Sequence, residues 1–384
     1  MLDLFNILEK NKDFLHPNFK NSLSDVDKPI RDIIEGWSIG FIDRDGKFID
    51  EFQRTFDSSF WELYCHAIIK EMGLEANFTY SSPDFVVCQN DNVLFNMECT
   101  ISKHAKDGLP EYDSKEKLNY TIGIEESVYI STLRLSNSLK SKHDKFIQKY
   151  TKLPHVQNIP FIVAIAPFDQ PNFQMPNLQS IRRVLYGLDK VKLSGDIIIH
   201  EELLKVFKDN GSEVNLGCFT DDRMKEISGV LFSCVATTGK ARALSKQDFV
   251  IFDHLRYDAN STKSILGINY RCETMNLLRK KQFENLVKDY ADSRRKSVSL
   301  SKCKLQKPFL QPGYTEELAD GLHLMLNPFA INKINKEIIN RFIDMKVTIH
   351  SYDIYTQTYK VIHDFDRSLF QRTVKIFNYK KNVL

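Results

Sequence analysis

Pro83-Asp84-Phe85-Val86-Val87, a polar gap, and then Leu94-Phe95-Asn96-Met97-Glu98-Cys99-Thr100 form the stretch on which the reading of this chain turns. Two short apolar runs carry one carboxylate each, and the polar segment Gln89 to Asn92 between them predicts a hairpin. Folded that way, Asp84 and Glu98 meet at one edge of a sheet. Two carboxylates that close repel each other and resist joint ionisation unless a cation lies between them. The pair therefore points either to a proton-sharing dyad or to a divalent-metal site.

On the N-terminal side of the hairpin, Asp57, Ser58 and Ser59 offer helix caps, and the run Phe60 to Lys70 predicts a helix that stops before Gly73. Its apolar positions 60, 61, 64, 67, 68 and 72 define a buried face. A strand is expected at Asn77 to Tyr80, followed by strands at Pro83 to Cys88 and Val93 to Ile101. A variable loop from Lys103 to Ile124 leads to a long helix from about Glu125 to Tyr150. Val128, Leu135, Leu139, Phe146 and Tyr150 fall on one stripe of that helix, with Arg134, Ser138, Ser141, Lys145 and Lys149 on the opposite side. After Pro154, Ile159 to Ala166 is a continuous apolar run, as expected of a strand covered on both faces. The order is helix, three strands, helix, strand.

Farther out, residues 1–50 read as a helical lead-in. A helix is expected at Leu2 to Phe14 and another at Ile30 to Trp37, with an Asp45-Gly46 turn between Ile39–Ile42 and Phe48-Ile49. Beyond 167, strands are expected at Asp196 to His200, at Ser228 to Ala236 and ending at Leu326, before an Asn327-Pro328 turn. Thr237 to Lys240 is taken as a boundary, followed by a mostly helical region to about 296 and a hairpin over Lys346 to Val361. The division is thus 1–50, a main domain over 51–240, and a C-terminal accessory region over 241–384.

Composition sets the bounds. The chain has 384 residues, 42% of them hydrophobic, enough for a substantial core. A net charge of +3 does not by itself announce a nucleic-acid binder. The seven cysteines are scattered without metal-ligand spacing and read as reduced thiols of a cytosolic protein. With no run of 18 apolar residues, and no basic segment leading into an apolar one at the start, neither membrane insertion nor secretion is expected.

The order of elements, with Pro83-Asp84 on one strand, Glu98-Cys99-Thr100 on the next and Glu62 on the preceding helix, resembles the common core of the PD-(D/E)XK nuclease superfamily over residues 51 to 166. The resemblance implies an α/β fold: a restriction-endonuclease-like αβββαβ core with a mixed central sheet, elaborated by N- and C-terminal segments. It also implies that Asp84, Glu98 and the main-chain carbonyl of Cys99 hold Mg²⁺ or Mn²⁺, with Glu62 contributing directly or through water. Ser59 and Glu62 also have the spacing of a capping box, so Glu62 has a purely structural alternative.

Thr100 departs from the superfamily pattern, standing where a lysine is usual. Its hydroxyl can bind water but brings no positive charge. Lys103 faces the other side of a regular strand. Lys142, about 20° from the buried stripe of the long helix, is the favoured replacement, and Lys140 borders the other edge. Arg134 is a candidate phosphate contact. His66 reads as a packed residue, and Arg182-Arg183 and the basic stretch from Lys280 to Lys307 read as solvated faces.

The expected function is a cytosolic, Mg²⁺-dependent nuclease of bacterial type that cleaves DNA in defence or processing. It would have no membrane association, and a homodimer or a partner protein stays open. The alternative is a catalytically inactive module of the same fold that binds nucleic acid or protein. A metal-free hydrolase using Asp84 and Glu98 as acid and base is a third reading.

Overall fold

The computed structural model describes residues 1–112, 122–194, 197–248, 250–258, 263–272, 277–300, 309–312, 314–353, 355–356, 358–361 and 369–376. Of the expected helix at Leu2 to Phe14, only a 3₁₀ turn at Glu9–Asn11 forms. Distant side chains take the backbone donors a helix would need. Leu2 N donates to Ser38 Oγ (2.8 Å), Leu4 N to Glu35 Oε1 (3.3 Å) and Leu8 N to Gln53 Oε1 (3.1 Å). Helices α1 (Pro17–Asn21) and α2 (Lys28–Trp37) follow. The Asp45-Gly46 turn forms, with Gly46 at φ +69°, but it opens a helix instead of joining strands. The Asp43 carboxylate accepts from Lys47 N and Phe48 N and so caps α3 (Phe48–Arg54).

Helix α4 (Phe56–Glu71) begins ahead of the expected caps, which puts Ser59 inside the helix and removes the capping-box explanation of Glu62. Strand β1 is only Glu75–Ala76. The strand expected at Asn77 to Tyr80 is a turn, closed by Asn77 Oδ1 accepting from Thr79 N and Oγ1. Strands β2 (Phe85–Gln89) and β3 (Asn92–Lys103) form the antiparallel hairpin through Asn90 and Asp91, both at positive φ, as a two-residue primed turn requires. Helix α5 (Ile124–Lys149), strand β4 (Phe161–Phe168) and helix α6 (Gln179–Tyr186) come next.

Hairpins β5 (Leu188–Ser194)–β6 (Ile197–Glu202) and β7 (Lys205–Phe207)–β8 (Glu213–Asn215) precede β9 (Gly229–Phe232) and α7 (Thr238–Leu244). The region expected to be helical starts instead as antiparallel β10 (Val250–Asp258) and β11 (Lys263–Arg271), where β-branched and aromatic residues such as Val250, Ile251, Phe252, Ile268 and Tyr270 favour strand. It becomes helical at α8 (Leu277–Leu300), which carries Lys280, Lys281 and Lys288; Lys302, Lys304 and Lys307 lie outside the described residues. Strands β12 (Phe309–Pro312) and β13 (His323–Leu326), helix α9 (Lys336–Asp344), and strands β14 (Thr348–Asp353), β15 (Thr358–Val361) and β16 (Leu369–Ile376) complete the chain.

The main sheet has eight strands in the order β1-β2-β3-β4-β9-β13-β14-β15. It is mixed: β3, β4 and β9 run parallel, whereas β2 pairs with β3, and β9 with β13, antiparallel. Its last three strands come from beyond residue 240. Strands β12-β11-β10-β16 form a second sheet, covered by Phe283, Val287 and Ala291 of α8. Alternation along β4 divides the main core into two layers. Ile162, Ala164 and Ala166 pack with α4, and Phe161, Val163 and Ile165 with α5 and α6. Among the described residues, no helix is long and apolar enough to cross a membrane.

The lead-in is docked partly through buried acids. Asn18 Nδ2 donates to Asp57 Oδ1 and to Glu111 Oε1, both at 2.8 Å. Burial, the Asp57 charge and a hydrogen bond shared with Asp57 push the Glu111 carboxyl up to about 8. Because the folded protein holds that proton more tightly than the unfolded chain, the stability it contributes is lost as pH rises from about 4 through 8. Glu111→Gln keeps a donor for Asp57 without the charge. It is expected to raise the melting temperature at pH 8.5 by about 2 °C or more and to leave it unchanged at pH 4, as measured by thermal scans across pH.

Candidate functional site

Strand β3 presents two unlike faces. Phe95, Met97, Cys99 and Ile101 join the apolar layer under α4, while Asn96, Glu98, Thr100 and Ser102 point the other way, toward α5. A polar row on a central strand has to be satisfied by what covers it. The register Phe85↔Met97 places Asp84, one residue before β2, opposite Glu98. Asp84 Oδ2 accepts from Cys99 N at 2.7 Å, which continues the ladder with a side chain after β2 has ended. Asn96 N turns to the β4 side, bonding Pro160 O, so odd-numbered residues of β3 direct their backbone groups to the β2 side. The Cys99 carbonyl therefore faces the edge at which Asp84 stands.

Glu98 is completely buried, and α5 with the 3₁₀ turn that follows it, Tyr150–Lys152, supplies its partners. Lys142 Nζ and Lys145 Nζ both donate to Oε1 at 2.7 Å, and Tyr150 Oη donates to Oε2 at 2.9 Å. Burial alone would raise the Glu98 carboxyl, but the two ammonium groups outweigh it and hold the group below its ordinary range. For Lys142, burial opposes the charge, and the Glu98 carboxylate overcomes that opposition.

Asp84 and Glu62 have no such support. Burial first, and the Glu98 charge second, push the Asp84 carboxyl up to about 6. Burial and the Asp84 charge push Glu62, on α4, up to about 8. Neither carboxylate is ion-paired within the distance of a salt bridge, and Asp84 Oδ1 and both Glu62 oxygens make no hydrogen bond among the described residues. Arg44 is the nearest relief. Its Nη1 donates to Tyr80 O (2.6 Å) and Pro83 O (3.4 Å), and its charge pulls Glu62 down without overcoming burial and the Asp84 charge.

A hard divalent cation fits this donor set in kind. The free Asp84 oxygen, the Cys99 carbonyl and the unpartnered Glu62 carboxylate are oxygen donors short of positive charge. Among the described residues, no three His, Cys, Asp or Glu side chains close into a metal cage. A cation held here would need water to complete its shell, since these residues do not form an all-protein cage. Glu98 is the least available of the three carboxylates, because two ammonium groups already occupy its Oε1 and a tyrosine hydroxyl its Oε2.

The remaining residues singled out in the sequence are placed as follows. Thr100 is half-buried on the α5 side of β3, and its hydroxyl is unbonded among the described residues. Lys140 pairs with Asp144 at the surface, away from Glu98. Arg134 donates to the carbonyls of Lys103 and His104 and so clamps the end of β3. His66 is buried, its Nδ1 2.8 Å from Trp37 O. Arg183, expected on a solvated face, is buried against Asp189 because that carboxylate offers it a partner inside.

Lys145, Tyr150 and Arg44 join the site without having been singled out by the sequence as site residues. The helical stripe puts Lys145 on the solvent side, but its four-carbon stem carries the ammonium around the helix to Glu98. A signal existed, since residues three apart share a helix face and Lys145 follows Lys142 at that spacing. Nothing local marks Arg44. No protein-family model, curated protein or solved structure matches the chain.

Proposed function

We propose that the chain is a divalent-cation-dependent nuclease that hydrolyses phosphodiester bonds of DNA, with a PD-(D/E)XK-type site whose lysine comes from α5. One observation carries the reading: Lys142 reaches Glu98 beside two carboxylates, Asp84 and Glu62, that lack a positive partner. The cation would be held by Asp84 and the Cys99 carbonyl, with Glu62 binding directly or through water. When bound, Mg²⁺ or Mn²⁺ lowers the pKa of a water and neutralises charge building on the phosphate.

Lys142 provides the fixed positive charge that Thr100 cannot. Glu98 holds the Lys142 stem in place, so that the ammonium is oriented before a phosphate arrives. Arg44, exposed at the Pro83 loop, adds a planar donor for a phosphate oxygen.

The test is cleavage of supercoiled plasmid, single-stranded DNA and RNA with Mg²⁺ or Mn²⁺. Wild type is expected to cut DNA. Asp84→Ala should lower the rate by roughly 10³-fold or more, and Lys142→Met by about 10²-fold. Equal cleavage by wild type and variants, or none on any substrate, would place the chain with the non-catalytic binding modules instead.

A further inference from the structure

Glu98 carries more positive charge than one carboxylate neutralises. Both ammonium groups sit on the same oxygen, Oε1, while the Tyr150 hydroxyl takes the other. The two lysines are not equivalent. Lys142 is 21% exposed and is drawn inward by Asp84 as well as by Glu98, whereas Lys145 is 37% exposed. Lys145 also lines a shallow groove on the outer side of α5, with Lys140, Ser141, Asp144, Gln148 and Lys149, where the Asp144 carboxylate is already paired with Lys140. One turn of its stem separates an inward position on Glu98 from an outward position in that groove.

Charge balance gives the exchange a direction. With all three acids ionised, as cation binding requires, Glu62, Asp84 and Glu98 against the inward-turned Lys142 and Lys145 sum to one negative charge, the solvent-exposed Arg44 being left out of the count. Uptake of a divalent cation turns that into one positive charge in a buried place, and departure of Lys145 restores neutrality. We propose that Lys145 is an exchangeable counter-ion: it occupies Glu98 while the site holds no cation, and leaves for the α5 groove when a divalent cation is taken up. There it meets the phosphate backbone of a bound strand beside Lys149. This inference rests on the proposed cation-dependent reading of the site. It makes Lys145 a positioning residue that couples cation binding to substrate binding, while Lys142 stays in place.

The experiment measures Mn²⁺ binding by calorimetry, without substrate, for wild type, Asp84→Ala, Lys145→Met and Lys149→Met, with circular dichroism to check folding. Asp84→Ala should abolish binding. Lys145→Met, which keeps the stem and removes the charge, is expected to bind Mn²⁺ about tenfold more tightly than wild type. Its affinity for a DNA duplex in Ca²⁺ should fall several-fold. Lys149→Met should weaken DNA binding alone. In a second measurement, on protein with ¹³C-dimethylated lysines, Mg²⁺ should move the Lys145 signal to the position of a solvated lysine and leave that of Lys142 in place.

If wild type binds Mn²⁺ through Asp84 but Lys145→Met binds it equally or more weakly, or if the Lys145 signal stays put, the exchange is wrong and the cation site survives. If neither wild type nor Asp84→Ala binds Mn²⁺, the cation reading fails and the exchange falls with it.

Discussion

Glu98→Ala is expected to destabilise the protein by about 3–5 kcal/mol, nearer the lower figure because Lys145 keeps some contact with water. The substitution removes the one acceptor shared by two ammonium groups and a tyrosine hydroxyl. The Lys142 ammonium and the Tyr150 hydroxyl, both drawn inside by that carboxylate, are left without a partner. A buried donor stripped of its partner costs far more than the intact bond contributes. Glu98→Gln keeps the shape and one acceptor, and should cost less than Glu98→Ala. Replacing the set together, as Glu98→Leu with Lys142→Met and Lys145→Met, should recover most of the loss, because no unpaired charge remains. Urea unfolding with an unchanged m-value measures all three. A loss under about 1 kcal/mol for Glu98→Ala would mean that the lysines find water as easily as they find Glu98.

The hairpin that carries this site was legible in the sequence because its information is local. Two apolar runs flank Asn90-Asp91, the pair that adopts the required positive φ, and a one-residue slip would turn every side chain of β3 to the wrong face. The burial of α4 and β4 was legible for the same reason. The lead-in was not. Leu4 and Leu8 have helical spacing, yet Ser38, Glu35 and Gln53, up to 49 positions away, take over that segment's backbone. No window along the chain contains that choice. The 250–271 hairpin failed differently: it gains its partners from β12 and β16, far along the chain, and its polar residues obscure the alternation.

The site divides in the same manner. Asp84 and Glu98 could be paired from the turn between them, and Lys142 from its angle on the helix. Lys145 lies outside the apolar stripe of α5, and only the length of its side chain brings it in. Arg44 arrives through the loop it anchors, Tyr80 to Pro83, a contact between segments with no shared periodicity.

Asp84→Asn should give the opposite result to Glu98→Ala in stability and the larger loss in function: cleavage lower by roughly 10³-fold or more, with stability raised by about 1 kcal/mol at pH 8. The asparagine oxygen can still accept from Cys99 N, so the backbone contact persists, while the charge facing Glu62 and Glu98 is gone. The pH dependence carries the same sign. Asp84 is pushed up to about 6 and Glu62 to about 8, so the folded protein holds these protons more tightly than the unfolded chain does. The unfolded state then binds fewer protons from about pH 4 upward, and the contribution to stability falls as pH rises through those values. In metal-free buffer, the melting temperature of Asp84→Asn relative to wild type should therefore rise between pH 4.5 and 8, a comparison in which the opposing contribution of buried neutral histidines such as His323 and His350 cancels. By removing a like charge, Asp84→Asn should also lower the Glu62 value. An Asp84→Asn protein less stable than wild type at pH 8 would show that Asp84 is a structural link. A more stable one means that the wild-type chain carries a carboxylate at the expense of its own stability. Glu98 has α5 to justify its burial; Asp84 and Glu62 form no ion pair among the described residues, and burial and their mutual repulsion keep their protons on to higher pH.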